Sequence, residues 1–167
     1  EQEGKEIKTE KIEEARVVAR KYLRKVYMDL LGPTEADLDF MTGAIISRDH
    51  DTGYPEGDLI DEKTPEVVLQ YWDRKYPGEV SAGRAPERLY IDNGTEFKGI
   101  FESSVVSRGT VVRNALAGEP TTNSGAERFH DTFTRCVRSC MKQAGGPRKL
   151  WGKCFRHTMR NFQVTKD

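Results

Sequence analysis

The chain has 167 residues, 36% of them hydrophobic and 32% charged, which suits one domain with its own core and leaves no apolar run near the roughly 20 residues of a membrane helix. The polar N-terminus carries no secretory pattern, and three cysteines without CxxC spacing exclude a disulfide framework or zinc cluster, so an intracellular, reducing setting is expected. Net charge is zero, yet residues 128–167 hold 10 basic and 2 acidic residues, a balance of +8 that residues 1–127 offset; such a basic third either faces a polyanion or forms a solvated helix surface.

Residues 1–8 read as a frayed end. Over 9–25, Ile12, Ala15, Ala19 and Tyr22 recur at helical spacing and predict an amphipathic helix. Residues 1–25 thus form a charged helical extension ahead of a main domain at 26–167. VYMDLLGP (26–33) reads as a strand closed by Gly32-Pro33, and FMTGAIIS (40–47) as a second. After the turn RDHDTGY a third strand runs to about Ile60. Thr64-Pro65-Glu66 opens a helix with an N-cap, a proline in the first turn and an acid beside it. That helix carries Val68, Leu69 and Trp72 and stops near Pro77-Gly78. After a Gly/Ala/Pro loop, RLYID is the fourth strand, GIFESSVVSRG a short helix and TVVRNAL the fifth strand. Two helices follow, about 124–144 and 148–163, broken at Gly145-Gly146-Pro147. The order predicts an α/β fold: a five-stranded mixed sheet, an antiparallel meander plus parallel strands, with helices on both faces.

Two of the apolar strands carry an aspartate, Asp29 in VYMDLLGP and Asp92 in LYIDNGTEF. If the first and fourth strands are neighbours, the two carboxylates converge at a strand end, where α/β folds place their chemistry. Close like charges are costly, and a divalent cation removes the cost. With a third acid, two Mg²⁺ ions about 3.5–4 Å apart can be held, the geometry of phosphodiester chemistry. The third candidate is Glu127, at the start of the penultimate helix. Ala126, Phe129, Phe133, Cys136, Val137 and Cys140 share one face of that helix, and Glu127, Asp131, Thr134, Arg138 and Lys142 the other. Glu127 then has basic residues behind it on its own side, a layout for a metal ligand followed by phosphate contacts.

These residues resemble the catalytic core of retroviral-type integrases, and most of all those of copia-type retrotransposons. MDLLGP resembles the family's Asp-x-x-Gly-Pro around its first catalytic acid, DNGTEF the segment around its second, and PTTNSGAER the Pro-x-x-Asn-Gly-x-x-Glu-Arg around its glutamate. The three stand in family order, with 34 residues between Asp92 and Glu127, close to the family's spacing of about 35. KLWGKCFRHTMRNFQ is similar to the helix that follows, and the resemblance covers about 26–163. It implies an RNase H-like fold and an integrase core at 26–167 with Asp29, Asp92 and Glu127 as a triad holding two Mg²⁺ or Mn²⁺ ions. It also implies polynucleotidyl transfer: cleavage near element DNA ends, then attack of the 3′-hydroxyl on target DNA. Double-stranded DNA would be the partner, the multimer a dimer or larger, and the nucleus the place of action. Asn123, Arg128, Arg135, Arg138 and Lys142 are the candidate DNA contacts. The family's upstream zinc module is absent from the sequence, so an isolated core cut from a longer polyprotein is expected. Ser124 stands where the family has Gly.

Each residue has a plainer reading. Asn93-Gly94 is also a hairpin signal. Ser124-Gly125-Ala126-Glu127 is also a capping box. Asp37, Asp39, Asp49 and Asp51 compete with Asp29 as the first acid, Asp39 foremost. Glu96, His50 and His130 read first as surface residues, Cys136 and Cys140 as core, and the arginines as a solvated flank. A transposase or nuclease on the same fold, or an inactive integrase-derived DNA-binding or dimerising module, are the alternative functions.

Overall fold

Alternating side chains give the central strand two working faces. β1 (Lys25–Leu31) sends Val26, Met28 and Leu30 into one apolar cluster and Leu31 into another, with Tyr27 and Asp29 on the Leu31 side. A computed structural model describes residues 22–114 and 120–165, and of 120–127 the backbone alone. β1 pairs antiparallel with β2 (Gly43–Asp49), which pairs antiparallel with β3 (Pro55–Ile60). On its other side β1 runs parallel to β4 (Arg88–Ile91), and β4 parallel to β5 (Val111–Asn114). The sheet order is therefore β3-β2-β1-β4-β5.

The helices α1 (Pro65–Lys75) and α2 (Ile100–Ser107) cover the face of Val26, Met28 and Leu30 through Val68, Tyr71, Trp72, Phe101 and Val105. Crossovers between parallel strands need such helices. On the opposite face α3 (Pro120–Ala144) and α4 (Trp151–Val164) bury Phe133, Phe155 and Met159 against Ala44, Ile46 and Leu59. Phe133 is fully buried and touches the rings of Phe129, Phe155 and Phe162. The architecture is α/β with a five-stranded mixed sheet, consistent with the RNase H-like fold. Thr64 caps α1 by accepting from Val67 N–H, with Pro65 and Glu66 in the first turn, as its sequence predicts.

Several boundaries differ from the sequence reading. The expected helix over 9–25 lies mostly outside the described residues; Tyr22 to Arg24 turn, and Lys25 already belongs to β1. β2 begins at Gly43 rather than Phe40, because Phe40 takes a left-handed backbone (φ 64) and stands 82% exposed. β2 also runs on through Arg48 and Asp49, which pair with Tyr27 and Val26 of β1. α3 starts at Pro120, not 124, with proline in its first turn. Ala115 and Leu116 of the expected fifth strand fall outside the described residues.

The β1–β2 loop is tied down at both ends. Gly32 has φ 102, and a Cβ there would meet Thr42 O at 2.8 Å, so only glycine fits. Further along, Asp37 is buried, and its Oδ1 accepts from the N–H groups of Asp39 and Met41 at 2.8 and 2.9 Å. The N-terminal turn of α4 packs on the loop: Trp151 Nε1 donates to Glu35 O at 2.8 Å, and Leu38 N–H to Lys149 O at 3.2 Å. Gly152 lets the two approach, since a Cβ there would collide with the Asp37 carboxylate. In an open helix Gly→Ala stabilises by about 1 kcal/mol. Gly152→Ala is expected to do the opposite, destabilising by about 1–3 kcal/mol through overpacking, read as a lower urea midpoint; a raised midpoint would contradict this packing.

Candidate active site

Parallel pairing puts the first two acids at the same end of the sheet. Lys25, Val26 and Tyr27 of β1 lie beside Arg88, Leu89 and Tyr90 of β4. Asp29 lies two residues beyond that pairing in β1, and Asp92 is the first residue after β4. The Tyr27 and Tyr90 rings, 5.0 Å apart, mark the face that Asp29 shares by alternation. This is the edge of the sheet where the parallel strands end.

Asp29 is half-exposed, with both oxygens engaged: Oδ1 accepts from Leu30 N–H at 2.8 Å, and Oδ2 faces His130 Nδ1 at 2.9 Å. Partial burial pushes this carboxyl up. The hydrogen bond and charge of His130, the Leu30 N–H and nearby Lys63 outweigh it and hold the group below the ordinary carboxylate value. His130 moves the other way. Its hydrogen bond to Asp29 prevails over partial burial, the charges of Asp29 and Asp131 add to it, and the imidazole is held above its usual value. Lys63 Nζ donates to Gly32 O at 2.6 Å, just beyond the end of β1.

Asp92 is exposed, and its Oδ1 accepts from Gly94 N–H at 2.9 Å. This local bond turns the chain out of β4. The hairpin reading of Asn93-Gly94 fails, because Gly94 has φ −58 and the next strand, β5, runs parallel to β4. The turn continues through Thr95–Phe97, anchored by buried Phe97, into α2. The Glu96 carboxylate folds over Gly94, where a Cβ would meet it at 2.7 Å. A second acid thus lies beside the Asp92 turn.

The side chains of Glu127 and Asn123 lie outside the described residues. Their backbone is helical, and because α3 begins at Pro120, Ser124 is inside the helix rather than its N-cap. The capping-box reading therefore does not fit the helix bounds.

The rivals for the first acid are all committed elsewhere. Asp37 serves its own loop, and Asp39 pairs with Lys153 and Arg156 at 2.9 and 3.1 Å. Asp49 is buried and accepts from Leu23 N–H and from Thr52, while Asp51 pairs with Arg24. His50 sits at the far end of the sheet, where its N–H bonds Lys25 O. On α3, Arg128, Arg135, Arg138 and Lys142 are exposed, Arg135 only loosely paired with Asp131 at 3.7 Å. Cys136 and Cys140 are half-buried free thiols.

Two groups at the site were not singled out from sequence: Lys63, and His130 as the direct partner of Asp29. His130 lies 101 positions from Asp29, so no local pattern links them; its place three residues after Glu127 on one helix was the available signal. Among the described residues no three His, Cys, Asp or Glu side chains lie close enough to hold a metal. Asp29 in β1 and Asp92 just after β4 offer oxygen donors, the ligand type that Mg²⁺ takes.

No protein-family model matches the chain. Over 93 residues, 54% of its length, the chain is 33% identical to a protein of Nicotiana tabacum described as a retrovirus-related Pol polyprotein from transposon TNT 1-94, and the match covers 7% of that polyprotein. The likeness supports a retroelement origin.

The Asp29–His130 pair sets a pH window. The raised His130 value stabilises fully below the unfolded value of about 6.5 and is lost as pH rises through the folded value. The lowered Asp29 value stabilises above about 3.9 and is lost as pH falls through its folded value. Asp29→Asn is therefore expected to cost most stability between about pH 4 and 6.5 and less above. By NMR titration it should also lower the His130 pKa; an unchanged His130 titration would refute the pair.

Proposed function

We propose that this chain is the catalytic core of a retrotransposon integrase that cleaves element DNA near its ends and joins the exposed 3′-hydroxyl to target DNA. The observation that supports the reading is Asp29 and Asp92 at the same end of the parallel strands β1 and β4, with α3 laid over Asp29 through His130. Helix arithmetic adds to it: position 127 is one turn before His130, on the side that residues i and i+3 share. Likeness to a retrotransposon Pol polyprotein supports the same reading.

In this reading Asp29, Asp92 and Glu127 hold one or two Mg²⁺ or Mn²⁺ ions, which when bound supply Lewis acidity to the phosphodiester oxygens. The remaining work falls to the chain's own groups. As ligands of those ions, Asp29 and Asp92 would set the reacting phosphate's place at the end of the parallel strands. Lys63, against Gly32 O, adds positive charge there. Arg128, Arg135, Arg138, Lys142 and Asn123 line the approach of double-stranded DNA along α3. His130 holds Asp29 Oδ2 at 2.9 Å, so a cation taking that oxygen would displace the histidine. Action in the nucleus, on element ends and target, by a dimer or larger assembly, belongs to the same proposal.

The Asp29–His130 pair also fits an integrase-derived module that no longer binds metal, and the assay separates the two. With Mn²⁺ and a labelled donor end, wild type is expected to give joined strands. Asp92→Asn should reduce joining by roughly 10²-fold or more, the scale of losing several kcal/mol of charge stabilisation. Cleaved but unjoined product points to a nuclease; equal activity in both proteins removes the assignment.

A further inference from the structure

The loop between β1 and β2 displays apolar side chains to solvent while its backbone is anchored. Phe40 is 82% exposed and Leu38 53%. Phe40 also takes a left-handed backbone (φ 64) that a bulky residue rarely adopts, and such strain collects at ligand contacts. The loop leaves β1 at the end of the sheet that carries Asp29 and Asp92.

Beside it runs a row of cations. Lys153, Arg156 and Arg160 lie on the exposed side of α4 at i, i+3 and i+7, and Lys149 precedes them on the turn into the helix. No acid occurs among residues 148–164. Asp39 holds both Lys153 and Arg156, fixing two cations with one carboxylate. Among the described residues neither Lys149 nor Arg160 has an ion-pair partner. From Lys153 to Arg160 the row spans about 10 Å of helix, the axial length of about three nucleotide steps on one strand of duplex DNA.

We propose that loop 34–42 and α4 form a binding surface for a nucleic-acid strand with an unpaired base: Phe40 stacks on the base, and Lys149, Lys153, Arg156 and Arg160 hold the phosphates. Aromatic side chains beside a cationic track are how unpaired strands are bound without sequence preference. A second copy of the chain suits the surface less well, since two exposed apolar side chains ringed by cations fall far short of the roughly 800 Å² per partner of a stable interface. The proposal rests on the reading that the Asp29–Asp92 edge acts on DNA, for which it offers a place to keep a frayed end.

The test is fluorescence anisotropy of the full chain in EDTA with three labelled probes: a blunt duplex, the same duplex with a short 3′ overhang, and a single strand. Phe40→Ala is expected to weaken the overhang and single-strand probes by about 5- to 100-fold, the range of losing one stacked base, and the blunt duplex by less than about twofold. Phe40→Trp should keep wild-type affinity. Lys149→Glu with Arg160→Glu should weaken all three probes and make log K against log salt shallower by about 2. Equal loss on all probes from Phe40→Ala, no loss from it, or no effect of the charge reversal would overturn the proposal, as would loss of self-association from Phe40→Ala with probe affinities intact. Because no metal is present, failure of strand transfer leaves this result unaffected.

Discussion

Parallel strands cannot be closed by a tight turn, so pairing β1 with β4 requires the chain to leave the sheet, cross one face as α1 and return. That crossover sets the register of Tyr27 beside Tyr90 and so puts Asp29 and Asp92 at the same end of the two strands. Everything at the candidate site depends on it. A slip of one residue would turn Asp92 toward the face that holds Leu89 and Ile91, and bury a carboxylate among Trp72 and Phe101. The buried residues Val26, Met28, Leu89 and Ile91 forbid that slip. The apolar face of each strand thus positions the acid on the other.

The second face does a different job. Phe133, Phe155 and Met159 bind α3 and α4 to β2 and β3, and Arg48 reaches over the Phe129 ring at 4.8 Å. Truncating a ring such as Phe133 removes several kcal/mol of packing and loosens the helix that brings His130 to Asp29. In the metal-free protein the histidine stands where a cation would be favourable. A half-exposed pair of this kind contributes little to stability in itself.

Much of this was legible because apolar periodicity reports faces directly. The five strands and the helices α1 to α4 follow from spacing, and the Thr64-Pro65 start of α1 from cap chemistry. Local signals failed where a distant contact prevailed. Asn93-Gly94 reads as a hairpin, yet the Asp92 side chain and buried Phe97 direct the chain into α2 instead. Phe40 reads as strand because it is apolar, but the loop's ties to α4 through Glu35, Leu38 and Asp39 hold it outside. The pairing of Asp29 with His130 joins residues on different elements, and no pattern of spacing carries it. Glu127 as third acid stands on motif, spacing and helix phase.

The account's central claim is that three acids distant in sequence share a cation, and Mn²⁺ binding measured on wild type, Asp29→Asn, Asp92→Asn and Glu127→Gln tests it most directly. Each single substitution is predicted to weaken Mn²⁺ by about tenfold or more, with double substitutions costing less than the sum because the acids act on one ion. Wild-type affinity in Glu127→Gln, or no binding by the wild type at millimolar Mn²⁺, would contradict the account.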